Sequence, residues 1–145
     1  MKLPHCETHD VSSPEALIEK ITADRTTHIE LAVSESGLSE SEWEGAYDAF
    51  EMLYQTRAKE ITAVLGDPAW RGSWTSDDYP AWALGEEITV WDHPGGKVYL
   101  RIYNEDQEIP IVVALGTSDS TNGFNAEGES PYKANREYLK SQGEL

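Results

Sequence analysis

Apolar and polar positions recur with a helical period through the first half of the chain and switch to a two-residue period after Pro68. Ser12 and Ser13 precede Pro14, a helix start in which serine accepts an orphan N–H and proline has none to leave unpaired. Leu17, Ile18, Ile21, His28, Ile29, Ala32 and Val33 keep helical spacing as far as Gly37, a left-handed stop. Within that run Arg25-Thr26-Thr27 brings in β-branched residues, and Ile29, Leu31 and Val33 also fit a strand. Helix is the preferred assignment for residues 26–34, with strand as the alternative.

The second helix carries the clearest start signal. Ser39 and Glu42 have capping-box spacing, and Leu38 with Trp43 has that of a hydrophobic staple. Trp43, Ala46, Tyr47, Phe50, Leu53, Tyr54, Ala58, Ile61, Val64 and Leu65 then form one apolar stripe, ended by Gly66-Asp67-Pro68. Trp70, Trp74, Tyr79, Pro80 and Trp82 follow in a turn-rich connection to Gly85. Alternating runs at 86–92, 97–103 and 108–116 predict strands, joined by His93-Pro94-Gly95-Gly96 and Asn104-Glu105-Asp106-Gln107. Residues 117–129 read as loop, and Ser130-Pro131 repeats the cap-plus-proline signal for a short helix carrying Tyr132, Tyr138 and Leu139.

These elements predict an α+β fold: an N-terminal two-helix antiparallel hairpin packed on an antiparallel three- to four-stranded β-meander, with a short C-terminal helix. One domain spans 1–145. Residues 1–12 form an irregular lead-in, 13–66 the helical hairpin, 67–116 the Trp-rich connection and meander, and 117–145 the loop and last helix. A chain of 145 residues with 39% hydrophobic content is long enough to bury about two thirds of its unfolded surface in one core.

Charge changes this picture most. Against 27 Asp and Glu stand 11 Lys and Arg, a formal net charge of −16. Such a balance repels phosphate backbones and anionic lipid surfaces, which argues against nucleic-acid and membrane binding. It serves solubility, and it also suits a basic protein partner. The acidity is concentrated: from Thr26 to Thr56 there is no Lys or Arg, while Glu30, Glu35, Glu40, Glu42, Glu44, Asp48 and Glu51 all fall there. Part of this is explained by the helix dipole, which favours carboxylates in a first turn such as Glu40, Glu42 and Glu44. Glu35 and Glu51 lie outside that turn. Glu35, Glu40, Glu42, Glu44, Asp48 and Glu51 are therefore the candidate partner-binding acids.

Candidate chemistry is sparse. His5, Cys6, Glu7, His9 and Asp10 are metal-ligand types in one short segment, but zinc draws its ligands from spaced pairs, and the chain has one cysteine. His5-Cys6-Glu7 matches the H-x-E half of a zinc-deaminase signature whose P-C-x-x-C half is absent. Cys6 beside histidine could act as a nucleophile pair only if firmly held. Asp77-Asp78, Asp92-His93 and Glu105-Asp106 have turn chemistry. No phosphate-cradle or nucleophile-elbow pattern occurs, so neither a cofactor nor a metal is expected. A lone cysteine cannot form an internal disulfide, the first residues lack a secretory apolar region, and no apolar run is long enough to span a bilayer. The expected location is the cytoplasm.

Aromatic placement supplies the second candidate surface. Trp70, Trp74, Trp82 and Trp91 cluster in sequence, and the non-core sheet face is expected to carry Trp91, Tyr99, Arg101 and Tyr103. These residue types dominate binding hot spots. Alternatively the Trp-rich connection and the last helix fold over this face and complete the core.

In size, acidity, acidic helix tip and aromatic anchors the chain resembles the small acidic immunity and antitoxin proteins carried by bacterial mobile elements. That resemblance implies a non-catalytic protein-binding domain that neutralises a basic partner such as a nuclease toxin. The alternative from the residues is a small-molecule site or enzyme with an aromatic pocket between helices and sheet. A homodimer hiding the sheet face is a third possibility.

Overall fold

The computed structural model describes residues 3–80, 82–94, 96–104, 110–121 and 138–143. The expected helix start at Ser130-Pro131, most of the loop before it and the Glu105-Asp106 pair lie outside these residues. The chain order is β1 (Cys6–His9), α1 (Pro14–Ala23), β2 (Ile29–Ser34), α2 (Glu40–Leu65), β3 (Trp70–Ser73), β4 (Glu87–His93), β5 (Gly96–Tyr103) and β6 (Val112–Thr117), followed by a 3-10 turn at Ser118–Thr121. All six strands join one antiparallel sheet in the order β1-β2-β6-β5-β4-β3.

This overturns the two-helix hairpin on a three- to four-stranded meander. The first helix stops at Ala23, because the Asp24 side chain accepts from the Thr26 amide at 3.1 Å and from the Thr26 hydroxyl at 2.7 Å, closing a local turn. Beyond it Ile29↔Leu115 and Val33↔Val112 pair with β6. Thr26 and Thr27, which weakened a helix over 26–34, lie in the connection, and the β-branched Ile29 and Val33 belong to the strand. Gly37, with φ +69°, sits in the turn from β2 to α2 and not at a helical tip. The lead-in is likewise partly a strand: Cys6, Thr8 and His9 pair with Ser34, Val33 and Ala32, across a bulge between Cys6 and Thr8. The meander exists, but as the β4–β5–β6 portion of a wider sheet.

Both helix starts form as their sequences demand. Ser13 caps α1 by accepting from the Ala16 amide, and Ser39 and Glu42 close a reciprocal capping box on α2. The two helices cover one face of the sheet. Their buried residues, Leu17, Ile18, Ile21, Ala46, Phe50, Leu53, Tyr54, Ala58 and Ile61, share a core with Leu31, Trp91, Val98, Leu100, Ile102, Val113 and Leu115 from the strands. Strand alternation sends Ile88, Val90 and Tyr99 to the opposite face, where Tyr79 and Ala83 pack on them with Trp70, Trp74 and Trp82 around the margin. The turn-rich segment between β3 and β4 thus roofs the back of β4 and β5.

Gly85 anchors that roof. A Cβ there would lie 2.8 Å from Ile88 Cγ2 and 2.9 Å from Arg101 Cβ, so only glycine lets the chain pass this close to the sheet. Its carbonyl accepts from the Tyr79 hydroxyl at 2.8 Å.

Candidate functional site

The six candidate acids separate into three settings. Glu35 and Glu42 flank His5, whose Nδ1 lies 3.4 Å from Glu35 and whose Nε2 lies 3.7 Å from Glu42. Glu42 is further held by the Ser39 amide, and the hydrogen bonds from Ser39 hold its carboxyl below the usual glutamate range. His5 itself adopts φ 53° and accepts from the Glu35 amide through its carbonyl at 2.8 Å. Thus the residue just before β1 closes the corner between β2 and α2, and these two carboxylates are structurally occupied.

Glu40, Glu44 and Asp48 form the second setting. They are exposed and stand four residues apart on one row of α2, with no ion pair to any cation among the described residues. Met52, 62% exposed, continues the row. Like charges at this spacing repel by about 0.2–0.5 kcal/mol per pair on an isolated helix.

Glu51 is the third. One row over from Asp48, it is half-buried and acts on Glu87 at the start of β4. Burial first, then the Glu51 carboxylate, pushes the Glu87 carboxyl above its usual range, with Arg71 and Gln55 pulling partly the other way. Next to it Tyr47 donates to Glu86 at 2.8 Å, and burial raises both groups. Burial beside a second carboxylate disfavours ionisation, so Glu87 keeps its proton above the normal glutamate range. Sequence spacing could not reveal it, because the pairing joins residues far apart in the chain. The nearest signal was the adjacent Glu86-Glu87 at a strand start.

The aromatic candidates divide between the two sheet faces. Trp91 does not share a face with Tyr99, Arg101 and Tyr103: it is fully buried under α2, its indole N–H donating to Thr62 at 3.3 Å. The register explains this, since Trp91 lies opposite Val98, and Val98 faces the helices. On the back, Trp82 meets Tyr99 edge-on with centroids 4.9 Å apart, and Trp70 meets Tyr79 in the same way at 6.0 Å. Arg101, 4% exposed, lies over the Tyr99 and Tyr103 rings and donates to the Tyr99 hydroxyl at 3.0 Å. Tyr99, Arg101 and Trp91 are core residues, while Trp70, Trp74, Trp82 and Tyr103 are half-buried. A pocket lined jointly by Trp70, Trp74, Trp82 and Trp91 is ruled out by the sheet that separates Trp91 from the other three.

Chemistry at the N-terminal cluster is equally constrained. Among the described residues no three His, Cys, Asp or Glu side chains converge to hold a metal ion. The Cys6 thiol donates to the Thr8 carbonyl at 3.0 Å, and burial pushes its pKa up, away from the thiolate that a nucleophile requires. No described helix is long and apolar enough to cross a membrane.

No protein-family model, curated protein or solved structure matches this chain. What defines its class is the architecture itself: an α+β domain with two helices on one face of a six-stranded antiparallel sheet and a Trp-rich roof on the other.

Proposed function

We propose that this chain is a non-catalytic protein-binding domain that docks a basic partner on the outer face of α2. The observation that carries the proposal is the Glu40–Glu44–Asp48 row: three exposed acids at mutually repulsive spacing, without a cation among the described residues, running into the exposed Met52. The repulsion is a cost in the free protein that a cationic surface would remove, and an acidic patch of this density speeds encounter with such a surface. Met52 supplies an apolar anchor beside the charges. A basic nuclease toxin, with its phosphate-binding surface covered by these acids, is the partner type that fits.

The test is isolation of a partner and measurement of its association rate. The triple variant Glu40→Lys, Glu44→Lys, Asp48→Lys should lose most of the rate at low ionic strength, and the wild-type rate should fall steeply with added salt. A partner that is not basic, or that binds the triple variant as fast as the wild type, overturns the proposal. Glu35 and Glu42 are expected to matter little for binding, since His5 and Ser39 already engage them.

A further inference from the structure

A groove of about 290 Å³ lies between the second half of α2 and the β3–β4 edge, away from the acidic row. Gln55, Lys59 and Thr62 project into it from the helix at spacings of four and three, and Arg71 and Thr89 enter from the strands. Its volume is just under the range of about 300–1,000 Å³ typical of small-molecule sites.

Two features set this groove apart. First, it gathers cations on a chain of net charge −16. Among the described residues Arg25, Arg57, Lys97 and Lys140 are each salt-bridged to a carboxylate, and Arg101 is sandwiched by tyrosines. The other three described cations, Lys20, Lys59 and Arg71, have no carboxylate within ion-pair distance among the described residues, and two of them, Lys59 and Arg71, line this groove, Arg71 also drawing on the Glu87 carboxyl from a longer range. With 27 acids in the chain, two such cations side by side are an exception to its general pattern.

Second, the polar groups around the groove are wired so that donors are left over. An indole only donates, so the bond from Trp91 to Thr62 makes the Thr62 oxygen an acceptor and leaves its own proton unused. Tyr54 and Thr89 share one hydrogen bond at 2.7 Å, and whichever donates, the other keeps an O–H. Arg71 spends one N–H on the Gln55 carbonyl, leaving the rest of its fork. Ala58 and Pro68 add a short apolar wall.

From these residues we infer that the groove is a binding site for a small oxyanion, a carboxylate or a phosphate, held between Lys59 and Arg71 with the hydroxyl proton of Thr62 as a further donor. Arg71 suits this role because its planar fork matches two oxygens at once, and Lys59 contributes a mobile point charge. The inference is independent of the docking face, which occupies the other half of α2.

Trp91 provides a reporter, since its indole N–H sits on Thr62 beneath the groove. Acetate, succinate and inorganic phosphate are titrated separately into the full ¹⁵N-labelled chain while the Trp91 indole resonance is followed, assigned through Trp91→Phe. At least one probe should shift it saturably. Preference for succinate or acetate identifies a carboxylate ligand, and preference for phosphate identifies a phosphate one. Lys59→Gln and Arg71→Gln should each weaken binding about tenfold or more, the loss expected for a hydrogen bond to a charged group, whereas Lys97→Gln should leave it unchanged. Both groove cations are exposed, so these variants keep the fold. Absence of a saturable shift with all three probes overturns the inference, as does a shift that survives both substitutions.

Discussion

Tyr47 on the long helix and Glu86 just before β4 meet across the rim of the sheet, the phenol donating to the carboxylate at 2.8 Å. Glu86 is half-buried, and its carboxyl is raised by that burial, with the bond from Tyr47 and one from the Asn104 backbone drawing it partly back. Tyr47→Phe removes a donor while leaving the carboxylate in place. The expected loss is about 1–3 kcal/mol, read by urea denaturation at pH 7, together with a further upward move of the Glu86 midpoint followed by carboxyl ¹³C NMR. An unmoved midpoint would show that the bond is not made in solution.

Glu87 gives a pH dependence of definite sign. Its folded carboxyl titrates above the ordinary 4.5, so between that value and the folded one the native state holds more protons than the unfolded chain. Stability then falls as pH rises through the window, and the deficit is complete above it. Glu87→Gln abolishes the deficit. The variant is expected to exceed wild type in stability at pH 7 and to converge on it as pH drops below 4.5. Parallel curves for the two proteins would contradict the burial of Glu87 beside Glu51.

The acidic row has its own signature in the free protein. Glu44→Lys replaces two repulsive helical pairs by attractive ones and should stabilise the domain by about 0.8–2 kcal/mol in low salt. In about 1 M salt, where the Debye length is about 3 Å, most of that gain should vanish. Thermal unfolding at the two ionic strengths checks it. A gain that persists in high salt would point to helix propensity instead of charge.

Two glycines should respond with opposite signs to alanine. Gly45, exposed in the second turn of α2 with open space where a Cβ would go, is expected to gain about 0.5–1 kcal/mol on Gly45→Ala. Gly85→Ala drives a methyl into Ile88 and Arg101 and should cost about 1–3 kcal/mol. Its effect should reach the roof, broadening the Trp82 and Tyr99 ring resonances. If both substitutions prove neutral, the close passage of residue 85 over the sheet is wrong.

Legibility in the sequence followed the range of the interactions. The capping box at Ser39 and Glu42, the apolar stripe of α2 and the alternation in β4 and β5 depend on neighbours a few residues away, and all are present. Ile29–Ser34 was misread because its strand character rests on β6, more than 75 residues later, while its local spacing satisfied a helix too. Cys6–His9 is a strand only by virtue of β2. The face of Trp91 depended on register, which no run of residues within β4 reveals. Of the candidate acids, Glu40, Glu44 and Asp48 were legible as a free row because one helix supplies all three. The pairing of Glu42 with His5 and the proximity of Glu51 to Glu87 were hidden, since each needs a partner from another strand or its approach.

The position of β6 between β2 and β5 also dictates an order of events during synthesis. Until Val112–Thr117 leaves the ribosome, β1 and β2 have no route to the rest of the sheet, and the apolar undersides of α1 and α2 have no continuous surface to settle on. Closing that join brings together residues about 80 positions apart, the kind of long-range step that slows folding. A chain that lacks β6 therefore leaves the apolar undersides of both helices unshielded, and the strong excess of acids over bases makes such chains repel one another.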